Sequence, residues 1–379
     1  MTIAEIDVKV VRLPVKEPTR ISTRILDKRE YVVVTLRRDE GDEQGMGYIY
    51  AGTAGGVVVA TAIRDLLEPV LMGRDADDPV STWEAMYHAA LLLGRRGAAL
   101  RAISAVDIAL WDLAAKCAGL PLSVVLGGGR APVPVYASGG YYKPGASSWA
   151  DAVTLEIEGN LSQGYKDHKI KVGGLSVADD AQRVAAAVRA IGGTGRLALD
   201  ANNAYRDVAE ASRALRTFER AAGDIGLWWL EEPLSPDDPA GHAELRRRSE
   251  TPIATGEIAA SRHDFRDLIM MRAVDVLQPD VGVLGGVTEY MRVIRAAEVF
   301  GVAVAPHWHA NLHVHLAAAS TTCLAVEHFD LAKDIYNFEA LVTPESRLRV
   351  TDGLAEIPDR PGHGVSLDET AMRRFAVHV

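Results

Sequence analysis

Hydrophobic and polar positions change rhythm twice along the chain. Over residues 1–50 they alternate, in "IDVKVVRL", "EYVVVTLRR" and "GMGYIYAG", with turn residues between the runs. A period of two belongs to half-buried strands, and the three runs predict an antiparallel meander. Residues 55–120 move to a helical period. In "GAALRAISAVDIALWDLAAKCAGLPL", Ile103, Val106, Ala109, Leu110 and Leu113 mark one apolar face, and Gly119 with Pro121 supplies the stop. Beyond residue 131 short apolar runs alternate with helix-like stretches such as "VADDAQRVAAAVRAI" and "GVTEYMRVIRAAEVF". The runs are "VPVYAS" (133–138), "DHKIKV" (167–172), "RLALD" (196–200), "LWWLEE" (227–232), "PIATGE" (252–257), "VDVLQPD" (274–280), "VAVAPH" (302–307) and "CLAVEH" (323–328).

Eight strands separated by helices is the count of a closed parallel α/β barrel. An open doubly wound sheet is the alternative, and it needs a glycine-rich phosphate turn after its first strand. "GGGR" at 127–130 precedes a strand instead, and reads as a linker. The expected organisation is an α+β region over 1–130, a barrel over 131–340, and a segment over 341–379 that returns to the N-terminal domain.

Composition narrows the partners. A net charge of −10 argues against nucleic acid and anionic membrane, which favour basic patches. No apolar run is long enough to span a bilayer. "MTIAEIDVKV" reads as a first strand and not as a signal peptide, so a cytoplasmic protein is expected. Two cysteines, Cys117 and Cys323, form no disulfide framework or metal-ligand spacing.

The strand ends carry the chemistry. From the second barrel strand onward each run ends at or near an ionisable residue: Lys171, Asp200, Glu231, Glu257, Asp280, His307 and Glu327. In a barrel the C-terminal strand ends form one ring, so these residues converge on one pocket. A solvated charge at a strand end is common, but seven in register point to a shared site. Asp200, Glu231 and Glu257 lie on three successive strands, where converged carboxylates repel unless a hard cation joins them. Oxygen-only ligation suits Mg²⁺. One glutamate of "LEEP" is expected to hold that metal, while alternation sends the other to the opposite side; the pattern alone does not say which. Lys169 and Lys171 share a face, and crowding by cations lowers a lysine pKa toward that of a general base. His307 faces them across the ring, with Asp280 able to fix its tautomer. Such a set suits removal of a proton next to a carboxylate through an enediolate. The histidines of "HWHANLHVH", His307 and His309 foremost, raise a zinc-dependent hydrolase as an alternative, and the oxygen-rich trio argues against it.

The motifs "KIK", "DANN", "LEEP", "TGE", "QPD", "PHWH" and "VEH", in this order, together with "AISAVDIALWDLAAKCAGLPLSVVLGG", resemble the mandelate racemase-like subgroup of the enolase superfamily. The resemblance covers essentially the whole chain. It implies a modified (β/α)7β barrel with an α+β capping domain completed by the C-terminal tail. It implies Asp200, Glu231 and Glu257 as ligands of one Mg²⁺, Lys171 as a base and Lys169 as a partner of the substrate carboxylate. It further implies His307 with Asp280 as the second acid–base pair, and Glu327 and Asn202 as substrate contacts. "EEPLSPDDPAGHAELRRRSETPIATGE" looks more like the acid-sugar dehydratases than the racemases, so loss of water to a 2-keto-3-deoxy acid is expected. A racemase or epimerase, or a catalytically silent relative, is the alternative. A small carboxylate substrate and a homo-oligomer follow from the same resemblance. His309 is expected to line the pocket. In "PTRISTRILDKRE" (18–30), Arg24 is expected among the substrate contacts: with Arg20, Lys28 and Arg29 it offers an arginine fork for a distal carboxylate, or else an exposed charged loop.

Overall fold

The computed structural model describes residues 1–143, 145, 148–330 and 336–377. Residues 378 and 379 of the expected tail, and 144, 146, 147 and 331–335 of the expected barrel, lie outside them.

Strands β1 (Ile3–Arg20), β2 (Ile25–Arg38) and β3 (Gln44–Tyr50) form the antiparallel meander, with Val10 opposite Val32 and Val32 opposite Ile49. Helices α1 (Gly56–Thr61) and α2 (Glu68–Leu71) flank a wider π turn over Ala62–Leu67, and α3 (Pro79–Ala90) follows. Asp78 starts α3 by accepting the Ser81 N–H, with Pro79 at the first helical position.

Helix α4 (Ala98–Cys117) lies on β3, and "GMGY" explains how. A Cβ on Gly45 would fall 2.1 Å from the Ala109 carbonyl, and one on Gly47 2.1 Å from that of Ala105. Glycine on the strand and alanine on the helix let two backbones meet. Either glycine replaced by alanine would force them apart.

A short α5 (Leu122–Val125) leads into the barrel. Its strands are β4 (Val133–Gly139), β5 (Asp167–Lys171), β6 (Leu197–Asp200), β7 (Leu230–Glu231), β8 (Ile253–Thr255), β9 (Val276–Leu277), β10 (Ala303–Val304) and β11 (Val326–His328). Helices α6 (Trp149–Ser162), α7 (Val177–Ile191), α8 (Val208–Ala222), α9 (Pro239–Arg248), α10 (Ser261–Met270), α11 (Gly286–Phe300) and α12 (Ala310–Ala318) alternate with them. Neighbouring strands are parallel from β4 through β10, β11 pairs with β4, and a bridge between Val304 and Cys323 closes the ring. No helix separates β11 from the closure, which is the (β/α)7β form.

The tail divides its contacts. The hairpin β12 (Val350–Thr351) and β13 (Leu354–Ala355) pairs antiparallel with the start of β4. Further on, α13 (Glu369–Arg374) leads to β14 (Ala376–Val377), which joins β1 as the fourth strand of the capping sheet. Inside the barrel, Tyr136, Ala198, Trp229, Ala254, Val276, Ala305 and Ala325 form an apolar layer. This layer is the floor of the site. Among the described residues no helix is long and apolar enough to cross a membrane.

Candidate metal and acid–base site

Alternation along the strands sets each side chain in place. Trp229, just before β7, and Glu231 at its end both point into the barrel; Trp229 is fully buried in the floor and its Nε1 donates to Glu231 Oε2 at 3.1 Å. The indole of "WWLEE" thus supports a carboxylate directly above it. On β5, Lys169 and Lys171 face inward while Ile170 packs outward. Both β6 and β7 end in left-handed residues, Asn202 at φ 44° and Glu232 at φ 41°, so the chain leaves the sheet just past Asp200 and Glu231.

Asp200, Glu231 and Glu257 are all buried, and each offers an oxygen within 4.8 Å of the others. Two ammonium groups partly neutralise them. Lys171 Nζ lies 2.5 Å from Asp200 Oδ2, and Lys169 Nζ lies 2.6 Å from Glu231 Oε1 and 2.9 Å from Glu327 Oε1. Burial, then the Asp200 charge, push the Glu231 carboxyl up to about 8 in spite of Lys169. Glu257 Oε2 is buried with no hydrogen-bond partner. Three hard oxygen donors, one of them unpartnered, fit a divalent cation of the Mg²⁺ type. They do not fit a thiophilic or imidazole-rich centre. The expected lowering of the Lys171 pKa is not found: burial lowers it, but Asp200 outweighs burial and raises it overall. Asp200 itself is held low, against its burial, by Lys171 and Lys169.

Across the mouth, His307 Nδ1 and Asp280 Oδ2 are 2.8 Å apart, which turns Nε2 toward the site, 3.6 Å from Glu257 Oε2. Burial lowers the imidazole, but Glu257 and the Asp280 hydrogen bond raise it to about 9. Despite its burial, Asp280 falls to about 2, next to His309 and His307. Glu327 accepts the Trp308 N–H at 2.8 Å through its second oxygen. Side-chain exposure separates floor from mouth: 7% for Lys171, 10% for Glu257 and 18% for His307, against 0–2% for Lys169, Asp200, Glu231 and Glu327. A ligand entering from the mouth meets the first three before the others.

The remaining expected contacts sort differently. Asn202 donates its N–H to Asp200 Oδ1 at 2.9 Å, and its own side-chain oxygen is buried without a partner. His309 does not line the pocket: it caps the start of α12, fully buried, with Nε2 3.6 Å from Asp280 Oδ1 and its ring against Tyr48. The 18–30 segment is not one loop. Strand pairing runs to Arg20 and resumes at Ile25, so only residues 21–24 turn. Ser22 Oγ docks this turn on the barrel, 2.6 Å from the Ala201 carbonyl. Arg20 is spent on the Gly174 carbonyl at 2.7 Å, and Arg29 is buried with its guanidinium 4.5 Å from the Trp308 ring centre. Arg24 is exposed at the tip.

Sequence reasoning missed Gln278, whose Nε2 donates to Glu231 Oε2 at 2.5 Å, and Arg101, in the first turn of α4. Gln278 was findable: it stands two residues before Asp280 on the same face. Arg101 carries no such signal, because only the folded cap brings it near Glu257 and Asp280.

Comparison with known proteins agrees with the geometry. Residues 5–127 match the mandelate racemase/muconate lactonizing enzyme N-terminal domain, and residues 153–371 match the enolase C-terminal domain-like family. The chain belongs to the enolase superfamily, in its mandelate racemase-like subgroup. It is 35% identical to the L-talarate/galactarate dehydratase of Salmonella typhimurium over 90% of this chain and 81% of that one. It is also 34% identical to the 3,6-anhydro-alpha-L-galactonate cycloisomerase of Streptomyces coelicolor, over 94% and 96%. A racemase of Streptomyces coelicolor solved with bound magnesium superposes with a TM-score of 0.90 at 32% identity, covering 99% of this chain and 100% of that one.

Proposed function

We propose that this protein is a Mg²⁺-dependent acid-sugar dehydratase acting in the cytoplasm. One observation carries the reading: Lys171 and His307 both reach the mouth, one against Asp200 and the other beside Glu257, with the buried carboxylate trio between them. Asp200, Glu231 and Glu257 hold the cation, with Gln278 and Trp229 orienting Glu231. Mg²⁺, when bound, supplies charge for the substrate carboxylate and its enediolate, and offsets the carboxylates that otherwise keep Lys171 protonated. Lys171 takes the α-proton at Nζ, and the C–H electron pair passes into the enediolate. His307, held by Asp280 through Nδ1, gives its Nε2 proton to the β-hydroxyl. The C–O bond breaks, water leaves, and the enol rearranges to a 2-keto-3-deoxy acid. Lys169, Glu327 and Asn202 hold the substrate carboxylate end.

The cycloisomerase among the relatives supports a second reading, in which the same two groups move protons with no water lost. Proton NMR in D₂O with Mg²⁺, across aldonic, aldaric and simple 2-hydroxy acids, decides. Deuterium uptake with a keto product is expected. Uptake without water loss moves the assignment to a racemase, epimerase or cycloisomerase, and no uptake on any acid overturns it.

A further inference from the structure

Two arginines on the capping side have no acid to pair with. Arg101 is partly buried, and its Nη1 donates to the Tyr50 carbonyl at 2.7 Å. Neither it nor Arg24 has a carboxylate within ion-pair distance among the described residues. The other arginines of the segment are occupied, Arg20 by a carbonyl and Arg29 by aromatic rings. Two observations place Arg101 near the mouth. The Tyr50 ring stacks on Trp308 at 5.4 Å, beside His307, and the fields of Asp280 and Glu257 reach the guanidinium. Ser22 meanwhile seats the turn bearing Arg24 on the ends of the barrel strands, and Arg24 is close enough to repel Arg101. Burial is the first cause of the lowered Arg101 pKa, with Arg24 adding to it. A partly buried guanidinium with no bonded counter-ion is costly, and a second like charge nearby adds to the cost. Such a pair has the chemistry of an anion site without its anion.

We propose that Arg101 and Arg24 form a subsite for a second carboxylate, so that the protein selects aldaric, dicarboxylic acid sugars over their monocarboxylic counterparts. This rests on the reading above that one substrate carboxylate goes to the metal trio. The far end of an acid sugar then points toward the cap. A guanidinium fork matches a carboxylate through two parallel hydrogen bonds, whereas a terminal hydroxymethyl group leaves the charge uncompensated.

The test uses the full chain with Mg²⁺, and galactarate and galactonate as probes. Binding is measured by calorimetry in a Lys171→Ala background that does not turn over, and turnover is measured with the unsubstituted protein. Galactarate is expected to bind the more tightly. Arg101→Gln should weaken galactarate by about 10- to 100-fold, the scale of a charge-assisted hydrogen bond, and change galactonate less than about threefold. Arg24→Gln, on an exposed turn where folding is not at stake, should act in the same direction with a smaller effect. Equal weakening of both ligands would make Arg101 a strut for Tyr50 and overturn the subsite, as would no effect from either variant. Turnover of galactonate but not galactarate also overturns it, while leaving the dehydratase reading intact. Selective binding without turnover does the reverse.

Discussion

The capping domain and the barrel mouth both bury carboxylates, and they treat them in opposite ways. In the cap, Asp112 and Glu30 are both answered. Asp112, fully buried, accepts the Met46 and His363 N–H groups at 2.8 and 2.9 Å and pairs with Lys116 at 2.7 Å, tying β3, α4 and the tail together. Glu30 accepts from Gly56 N at 2.8 Å and pairs with Arg12 at 2.6 Å. At the mouth, Asp200, Glu231 and Glu257 crowd one another, and one oxygen finds no donor. Buried charge that is satisfied locks a fold; buried charge left unsatisfied is a site waiting for an ion or a substrate.

The sharpest test of that contrast is Lys171→Ala. Loss of the base should lower kcat by about 10²- to 10⁴-fold with little change in thermal stability. Full turnover would assign α-proton removal to His307 alone. A paired comparison comes next. Asp112→Asn should cost about 2 kcal/mol or more, because one of the two backbone donors loses its acceptor and Lys116 its counter-charge, yet leave turnover per folded molecule unchanged. Glu257→Gln should abolish Mg²⁺ binding in a calorimetric titration while leaving the metal-free melting temperature unchanged or higher. If Glu257→Gln destabilises the metal-free protein as much as Asp112→Asn, the contrast fails.

Acid should act through buried histidines. His315 accepts from Ser123 N at 3.3 Å and meets the His363 carbonyl at 3.1 Å, so its neutral tautomer is fixed; burial holds it at about 4 and His313 at about 3. Both folded-state values are depressed below the ordinary ~6.5. The stability they confer is therefore complete above pH ~6.5 and is lost as pH falls through the folded values, by on the order of 1 kcal/mol per pH unit per histidine. Melting temperatures from pH 7 to 5 should fall, and His313→Gln should flatten the slope; an unchanged slope would remove His313 from the account. The smallest effect is expected from Ser22→Ala, which removes the bond to Ala201 at a cost of about 1 kcal/mol. It should raise KM severalfold and spare kcat, and an unchanged KM would mean that the turn stays docked without it.

Much of this was legible beforehand because a barrel converts sequence spacing into a ring. Each of the eight expected strands overlaps an observed one, and all but β4 are shorter than expected: "LWWLEE" pairs only at Leu230–Glu231, and "VDVLQPD" only at Val276–Leu277. The unpaired C-terminal ends, such as Gln278 and Asp280, bring their side chains to the site. The cap was legible in its strands and not in its contacts. Nothing local in "PTRISTRILDKRE" separates Arg29, buried against Trp308, from Arg24 in solvent, since the distinction comes from elements distant in sequence. The lysine pKa was not legible either: in the metal-free site Asp200 outweighs burial, and the expectation counted only the cations.

The glycine–alanine contact between β3 and α4 has a consequence for how this protein can change. Tyr50 ends the strand and Arg101 begins the helix, and backbones in direct contact leave no slack between them. The two behave as one machined part, whose position a single substitution cannot adjust. Variation in what the mouth accepts is then channelled into the turn at 21–24, where Thr23 and Arg24 are exposed and a new side chain at either disturbs no core. A lineage diversifying from this sequence would be expected to record its history there.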